Sequence, residues 1–221
     1  YAVGLSGVGK VSTATAVFVV LALATVTFDG LSATGAWTDF NLALYDIASM
    51  FGSYAIEAVE TFGLIGVPVL FLAIYISFSW GIRRLSGDRA STTQIARSFV
   101  FALVPIALAY NMAHFISLLA ITGQAIIPLL SDPFGSGWDL LGTGDYVVNI
   151  RVVNAKFVWF LSVAAIVLGH IVSVYVAHVI SLGRIPDRGR ALRGQYPMLV
   201  LMVFYTATSL WILAQPIVNE G

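Results

Sequence analysis

The chain has 221 residues, 59% hydrophobic and only 10% charged, with no formal net charge. Soluble domains carry about 25% charged residues, so this surface is not built to face water and the composition selects an integral membrane protein. Balanced charge excludes a generally basic nucleic-acid binder, and the absence of cysteine excludes disulfides, thiolate metal sites and cysteine-held iron–sulfur clusters.

A first residue of Tyr rather than Met fits a processed or truncated chain, and no signal peptide is visible. "GLSGVGKV", Gly4 to Val11, resembles a phosphate-binding loop, but Val11 stands where a hydroxyl should meet Mg²⁺, no strand precedes it and an apolar run follows. It reads as a lysine-tipped lead-in. A bilayer core needs roughly 20 apolar helical residues, and five segments qualify: 11–28, 62–82, 93–122, 152–182 and 197–214. Between the first two, Phe40, Leu44, Ile47 and Phe51 recur at helical spacing among polar residues. That predicts a surface amphipathic helix over about 38–54.

Ser91 and Gln94 form a capping-box pattern opening the third span. The apolar run from Ile95 to Leu130 is too long for one crossing, and Gly123-Gln124 is its natural break. Residues 125–130 would lie along the outer interface or dip back in. The segment "SDPFGSGWDLLGTGDY" reads as an ordered loop. Its acidic residues Asp132, Asp139 and Asp145 are either turn formers or, with Asp29, a cation or acid–base site. Gly183 and Pro186 are expected to close the fourth span, Pro197 to sit in the first turn of the fifth, and Gln215-Pro216 to stop it.

Charge assigns sides. Residues 1–10, 83–97 and 183–193 hold nine of the eleven basic residues, against Asp88 and Asp187 alone. The remaining segments hold nine acidic residues, against Arg151 and Lys156. Five crossings make these groups alternate, which puts the N-terminus inside and the C-terminus outside. Trp80, Trp159 and Trp211 fit interfacial belts.

Polar residues inside apolar spans are expensive and mark function or internal bonding. Asn111 and His114 share a helix face, His170 lies near the centre of its span, and Asp29 near the end of the first is a partner for His114 by depth. Asn111 is the better-matched neighbour of His170. The leading reading is a hydrogen-bonded cluster of Asn111, His114, His170 and Asp29. A proton or solute path along these groups, and a metal or haem site using His114, His170 and His178, stay open. His170 and His178 are about 12 Å apart along one helix and cannot share one ion. Ala165, Gly169, Ser173 and Ala177 form a small-residue stripe suited to close helix packing.

"ATVTFDGLSATGAW", "LVPIALAYNMAHFISLL", "GQAIIPLLSDPFGSGWDLLGT", "LGHIVSVYVAH" and "SLWILAQPIV" resemble the C-terminal half of a bacterial family of polytopic membrane proteins, many labelled fenitrothion hydrolase-like. The resemblance implies a membrane helical bundle, and its label implies organophosphate ester hydrolysis. Asn111, His114, Asp132, His170 and His178 fall within the matching blocks. Members are typically longer at the N-terminus.

The expectation is one all-α transmembrane domain over 1–221, of about five spans, in a bacterial cytoplasmic (inner) membrane, with an amphipathic helix and ordered loops outside. Three functions stand: an accessory subunit packing against other membrane subunits; a membrane hydrolase; and a metal- or haem-handling, small-solute or proton transport protein. Whether the chain is an enzyme is open. No cofactor is favoured, haem and a divalent metal being the candidates. The expected partners are the lipid bilayer and other membrane subunits, not nucleic acid.

Overall fold

The computed structural model describes residues 11–152 and 154–215. The phosphate-loop-like stretch before Val11, Lys10, the Pro216 stop and Glu220 lie outside them. The elements are α1 (Thr13–Ser32), α2 (Gly35–Ala48), a 3₁₀ segment (Ser49–Tyr54), α3 (Ala55–Ser86), α4 (Thr92–Ile121), a 3₁₀ turn (Thr122–Ala125), α5 (Ile126–Ser131), α6 (Ala155–Arg184) and α7 (Arg188–Ala214). No β-strand occurs among the described residues. Five helices, α1, α3, α4, α6 and α7, are long and apolar enough to cross a membrane.

Local chemistry sets the boundaries. Ser12 caps α1 by accepting from the Thr15 amide. Ser91 and Gln94 make the full reciprocal box at α4, and Asn154 caps α6. Gly87, at φ +65°, ends α3 in the left-handed conformation that glycine adopts without a Cβ penalty. The Gly123-Gln124 break is present as the 3₁₀ turn.

Two expected boundaries need correction. The last helix begins at Arg188, not at residue 197: Asp187 accepts from the Arg190 amide and caps it nine residues early, so Pro197 lies in its interior. Gly183 is an ordinary helical residue. The stop at the end of α6 comes from Ile185, extended at ψ 112° as the residue before a proline prefers. The helix that carries the 62–82 segment is longer than that segment, running over 32 residues, or about 48 Å.

The core draws on all five long helices. Phe99, Ile95 and Ile106 of α4 pack among Ile82 of α3, Val20 and Leu23 of α1, Val176 of α6, and Met198 and Met202 of α7. Helix α6 lies closely along α4. A Cβ at Gly169 would stand 2.5 Å from Ala109 Cβ and 2.9 Å from the Pro105 carbonyl oxygen, so only glycine permits this approach. Gly169, Ser173 and Ala177 of the small-residue stripe are buried inside the chain, and Ala165 is half-buried.

The amphipathic element is α2 with the 3₁₀ segment after it. Glu60 of α3 holds it, accepting from Trp37 Nε1 at 2.8 Å and Asn41 Nδ2 at 3.0 Å. Beyond this anchor, Phe40, Leu44, Ile47 and Phe62 line an apolar groove of about 330 Å³.

The arginine-bearing turns meet at one end of the bundle. Arg184 Nε donates to Asp88 Oδ2 at 2.6 Å, and its Nη1 donates to Ser98 Oγ at 2.8 Å. Arg97 donates to the Val11 carbonyl at the start of α1. The loop aspartates lie at the opposite end.

Candidate functional site

Asp29 stands one turn from the end of α1 and His114 two turns from the end of α4. His114 Nε2 is 2.5 Å from Asp29 Oδ2. A carboxylate oxygen accepts, so Nε2 carries the hydrogen. The imidazole is mostly covered while the carboxylate is mostly open to the surroundings. Tyr110, one turn below His114, stacks its ring at 6.4 Å and 14°. Its hydroxyl reaches α1 because position 30 is glycine: a Cβ there would lie 3.1 Å from Tyr110 Oη.

From Tyr110 the polar groups continue inward across α7. The Tyr205 ring lies 6.1 Å from Tyr110 and 6.0 Å from His170. Tyr205 Oη is 2.7 Å from Thr27 Oγ1. Thr27 spends its one hydrogen on the Leu23 carbonyl, 2.7 Å away, so the tyrosine hydroxyl donates to the threonine. His170 bonds the Ile166 carbonyl through Nδ1 at 2.7 Å, which puts the hydrogen of the neutral ring on Nδ1 and leaves Nε2 as an acceptor. That Nε2 is buried without a hydrogen-bond partner, as are Ser173 Oγ and Ser209 Oγ. An unsatisfied buried polar atom costs about 1–3 kcal/mol. Asn41 Oδ1 on α2 and Gln195 Nε2 toward the arginine end are in the same condition, so such atoms are not confined to this row.

The row stops short of the arginine end. Val176, Ala177, Met198 and Met202, all buried, form an apolar layer. Beyond it His178 Nδ1 bonds Gln195 Oε1 at 2.9 Å.

The expected cluster is therefore partly rearranged. Asp29 and His114 are brought together, and His170 lies on the same row. Asn111 is not joined to His170: its amide folds back to the Ala107 carbonyl one turn earlier, at 2.8 Å, as a short polar side chain in an apolar helix readily does. The three histidines have three separate partners, and among the described residues no three His, Asp or Glu side chains converge at metal-binding range. Tyr110, Tyr205 and Thr27, which connect the row, were not singled out from sequence. The legible signal was Tyr110, one turn before His114 on the same face, and Tyr205 with Ser209 on one face of α7.

The loop aspartates work on their own backbone. Asp132 accepts from the Ser136 and Gly137 amides at 2.8 and 2.7 Å. Desolvation pushes its carboxyl upward, but these and neighbouring amides outweigh it and hold it below the ordinary range. Asp139 accepts from Ser131 Oγ at 2.6 Å and the Gly144 amide at 2.8 Å, and is likewise held low, first by Ser131. Asp145 is exposed. Gln124 clamps the rest of the loop, accepting from Tyr146 Oη at 2.8 Å and the Asn149 amide at 3.0 Å and donating to the Asn149 carbonyl at 3.1 Å.

Comparison of the chain with protein families, curated proteins and solved structures gives no match.

Proposed function

We propose that this is a five-span membrane protein, with its N-terminus and arginine turns in the cytoplasm, that carries protons or a small polar solute along the row from Asp29 to His170. The orientation is supported by the charge division about five membrane-length helices. The proton reading is supported by one arrangement: beyond the Asp29–His114 pair, Tyr110, Tyr205 and a buried histidine with a free acceptor nitrogen follow as ring neighbours 6.0–6.4 Å apart, so transfer along the row needs water between their polar atoms. Histidine changes charge nearest neutral pH, and intramembrane chains of Asp, His and hydroxyl groups suit proton relay. The buried layer of Val176, Met198 and Met202 lies between the row and the arginine end, so passage requires that layer to part.

Purified protein in liposomes loaded with a pH-sensitive dye tests this under an imposed potassium diffusion potential. The expected result is proton flux above protein-free liposomes, reduced by Asp29→Asn and by Tyr205→Phe. Flux equal to empty liposomes, or unchanged in both variants, overturns the reading.

A hydrolase reading is favoured by the same pair, since a histidine held by a carboxylate is the pattern of a general base with its orienting partner. No Ser or Thr hydroxyl among the described residues hydrogen-bonds His114, so the nucleophile would have to be a water. Ester hydrolysis by the wild-type protein, lost in His114→Gln, would select this reading over the first. The accessory-subunit reading loses the small-residue stripe as a free surface, because Gly169, Ser173 and Ala177 are buried within the chain, and keeps the outer face.

A further inference from the structure

We propose that the cavity between the α3–α4 turn and the α6–α7 turn binds a phosphate group through Arg89 and Arg190. The cavity holds about 330 Å³ and takes its charged lining from Asp88, Arg89, Arg184, Asp187 and Arg190. That volume falls within the range of small-ligand pockets.

The lining is not a uniform basic patch, and its arrangement matters. Asp88 is committed through both oxygens, and Asp187 through one. Asp88 accepts from the Ala90 amide at 2.8 Å through Oδ1 and from Arg184 at 2.6 Å through Oδ2. Asp187 spends Oδ1 on the Arg190 amide at 2.8 Å. Arg184 is also committed, between Asp88 and Ser98. What remains is one guanidinium from each turn. Among the described residues the only ion pairs are His114–Asp29 and Arg184–Asp88, so neither Arg89 nor Arg190 has an acidic partner.

Gly87 adds to the design. A Cβ there would lie 3.7 Å from Arg190 Nη1, so the guanidinium lies across the Gly87 backbone. Arg190 also sits in the first turn of α7 with Arg188, where the helix dipole disfavours cations. An anion between the turns relieves the dipole conflict at the start of α7. Planar guanidinium donors match phosphate oxygens in pairs, which makes phosphate the best-fitting anion.

The phosphate could belong to an acidic lipid headgroup or to a free phosphate species. The cavity lies at the ends of membrane-length helices, where basic pockets meet lipid headgroups. Protein reconstituted in phosphatidylcholine nanodiscs with a minor share of phosphatidylglycerol, then extracted and weighed intact by native mass spectrometry, tests the lipid arm. Melting of detergent-solubilised protein against inorganic phosphate tests the free arm. The expected results are preferential retention of phosphatidylglycerol or a phosphate-dependent rise in melting temperature. In the Arg89→Gln/Arg190→Gln variant either effect falls on the order of tenfold. Both side chains are exposed and hold no structural bond, so the variant folds. Arg83→Gln/Arg84→Gln removes the same charge from the same end outside the cavity and is expected to bind as wild type. Retention with phosphate effect assigns a lipid that free phosphate imitates; a phosphate effect alone assigns a soluble ligand. No effect in the wild-type protein, or equal loss in both double variants, overturns the site.

Discussion

His114 Nε2 and Asp29 Oδ2 stand 2.5 Å apart although 85 positions separate them, so one hydrogen bond ties the ends of α1 and α4. The carboxylate is 62% exposed, and an exposed pair contributes little to folding, on the order of 0–1 kcal/mol. Asp29→Asn is therefore expected to leave unfolding in detergent within about 1 kcal/mol of wild type while reducing proton flux. A fall in stability well beyond that range, with flux per folded molecule unchanged, would make the pair a structural staple.

Deeper in the row the balance differs. Tyr205→Phe removes a buried hydroxyl whose bond to Thr27 is worth about 1 kcal/mol and leaves the ring contacts with Tyr110 and His170 in place. Thr27→Val should cost a similar amount. The double variant is expected to cost less than the sum, because one shared bond is lost. Strict additivity of the two unfolding energies would show that no such bond exists.

The five long helices, the break at Gly123 and the capping box at Ser91 were legible because each follows from local chemistry: length of apolar run, a glycine, a hydroxyl three residues before an amide. The Asp29–His114 contact was legible from depth alone. What sequence did not reveal depends on contact between distant segments. Asn111 was matched to His170 by depth, yet its amide bonds the carbonyl one turn earlier on its own helix. The connecting tyrosines were not singled out, since their hydroxyls acquire meaning only once α1 and α7 lie beside α4. The early start of α7 was hidden because a run of arginines reads as loop until Asp187 is seen as its cap.

Glycines separate packing from mere tolerance. A Cβ at Gly63 would fall 2.6 Å from Trp37 and 2.7 Å from Phe28, whereas at Gly66 it meets nothing within 4 Å. Trp37 is pinned by Glu60 and cannot yield. Gly63→Ala is expected to cost about 1–3 kcal/mol, while Gly66→Ala is neutral or stabilising. Gly169→Ala meets backbone at Pro105 and should cost at least as much as Gly63→Ala. Equal unfolding midpoints for Gly63→Ala and Gly66→Ala would contradict the placement of α2 on α3.

The loop aspartates give a pH dependence of known sign. Asp132 and Asp139 are held below the ordinary carboxylate range when folded. Their contribution to loop order is thus full above the unfolded carboxylate range and fades as pH falls through the depressed folded values. Hydrogen exchange at the Gly137 and Gly144 amides is expected to show protection at neutral pH that weakens in acid, after correction for intrinsic rates. In Asp139→Asn the Gly144 amide should lose that acid dependence. Protection that rises as pH falls would refute the assignment.

Orientation is open to a direct measurement, helped by a chain that contains no native cysteine. Arg188 begins α7 at the arginine end and Asp145 lies in the opposite loop, both exposed. Single Arg188→Cys and Asp145→Cys variants remove no hydrogen bond described above, so each should fold and report position alone. A membrane-impermeant maleimide added to intact expressing cells is expected to label the variant at 145 and to reach the variant at 188 only after the membrane is opened. The two positions are separated by one long apolar helix, α6, so they must differ if that helix crosses the bilayer. Equal labelling of both in intact cells would mean that α6 does not cross, and the proton path and the cytoplasmic placement of the arginine cavity would fall with it.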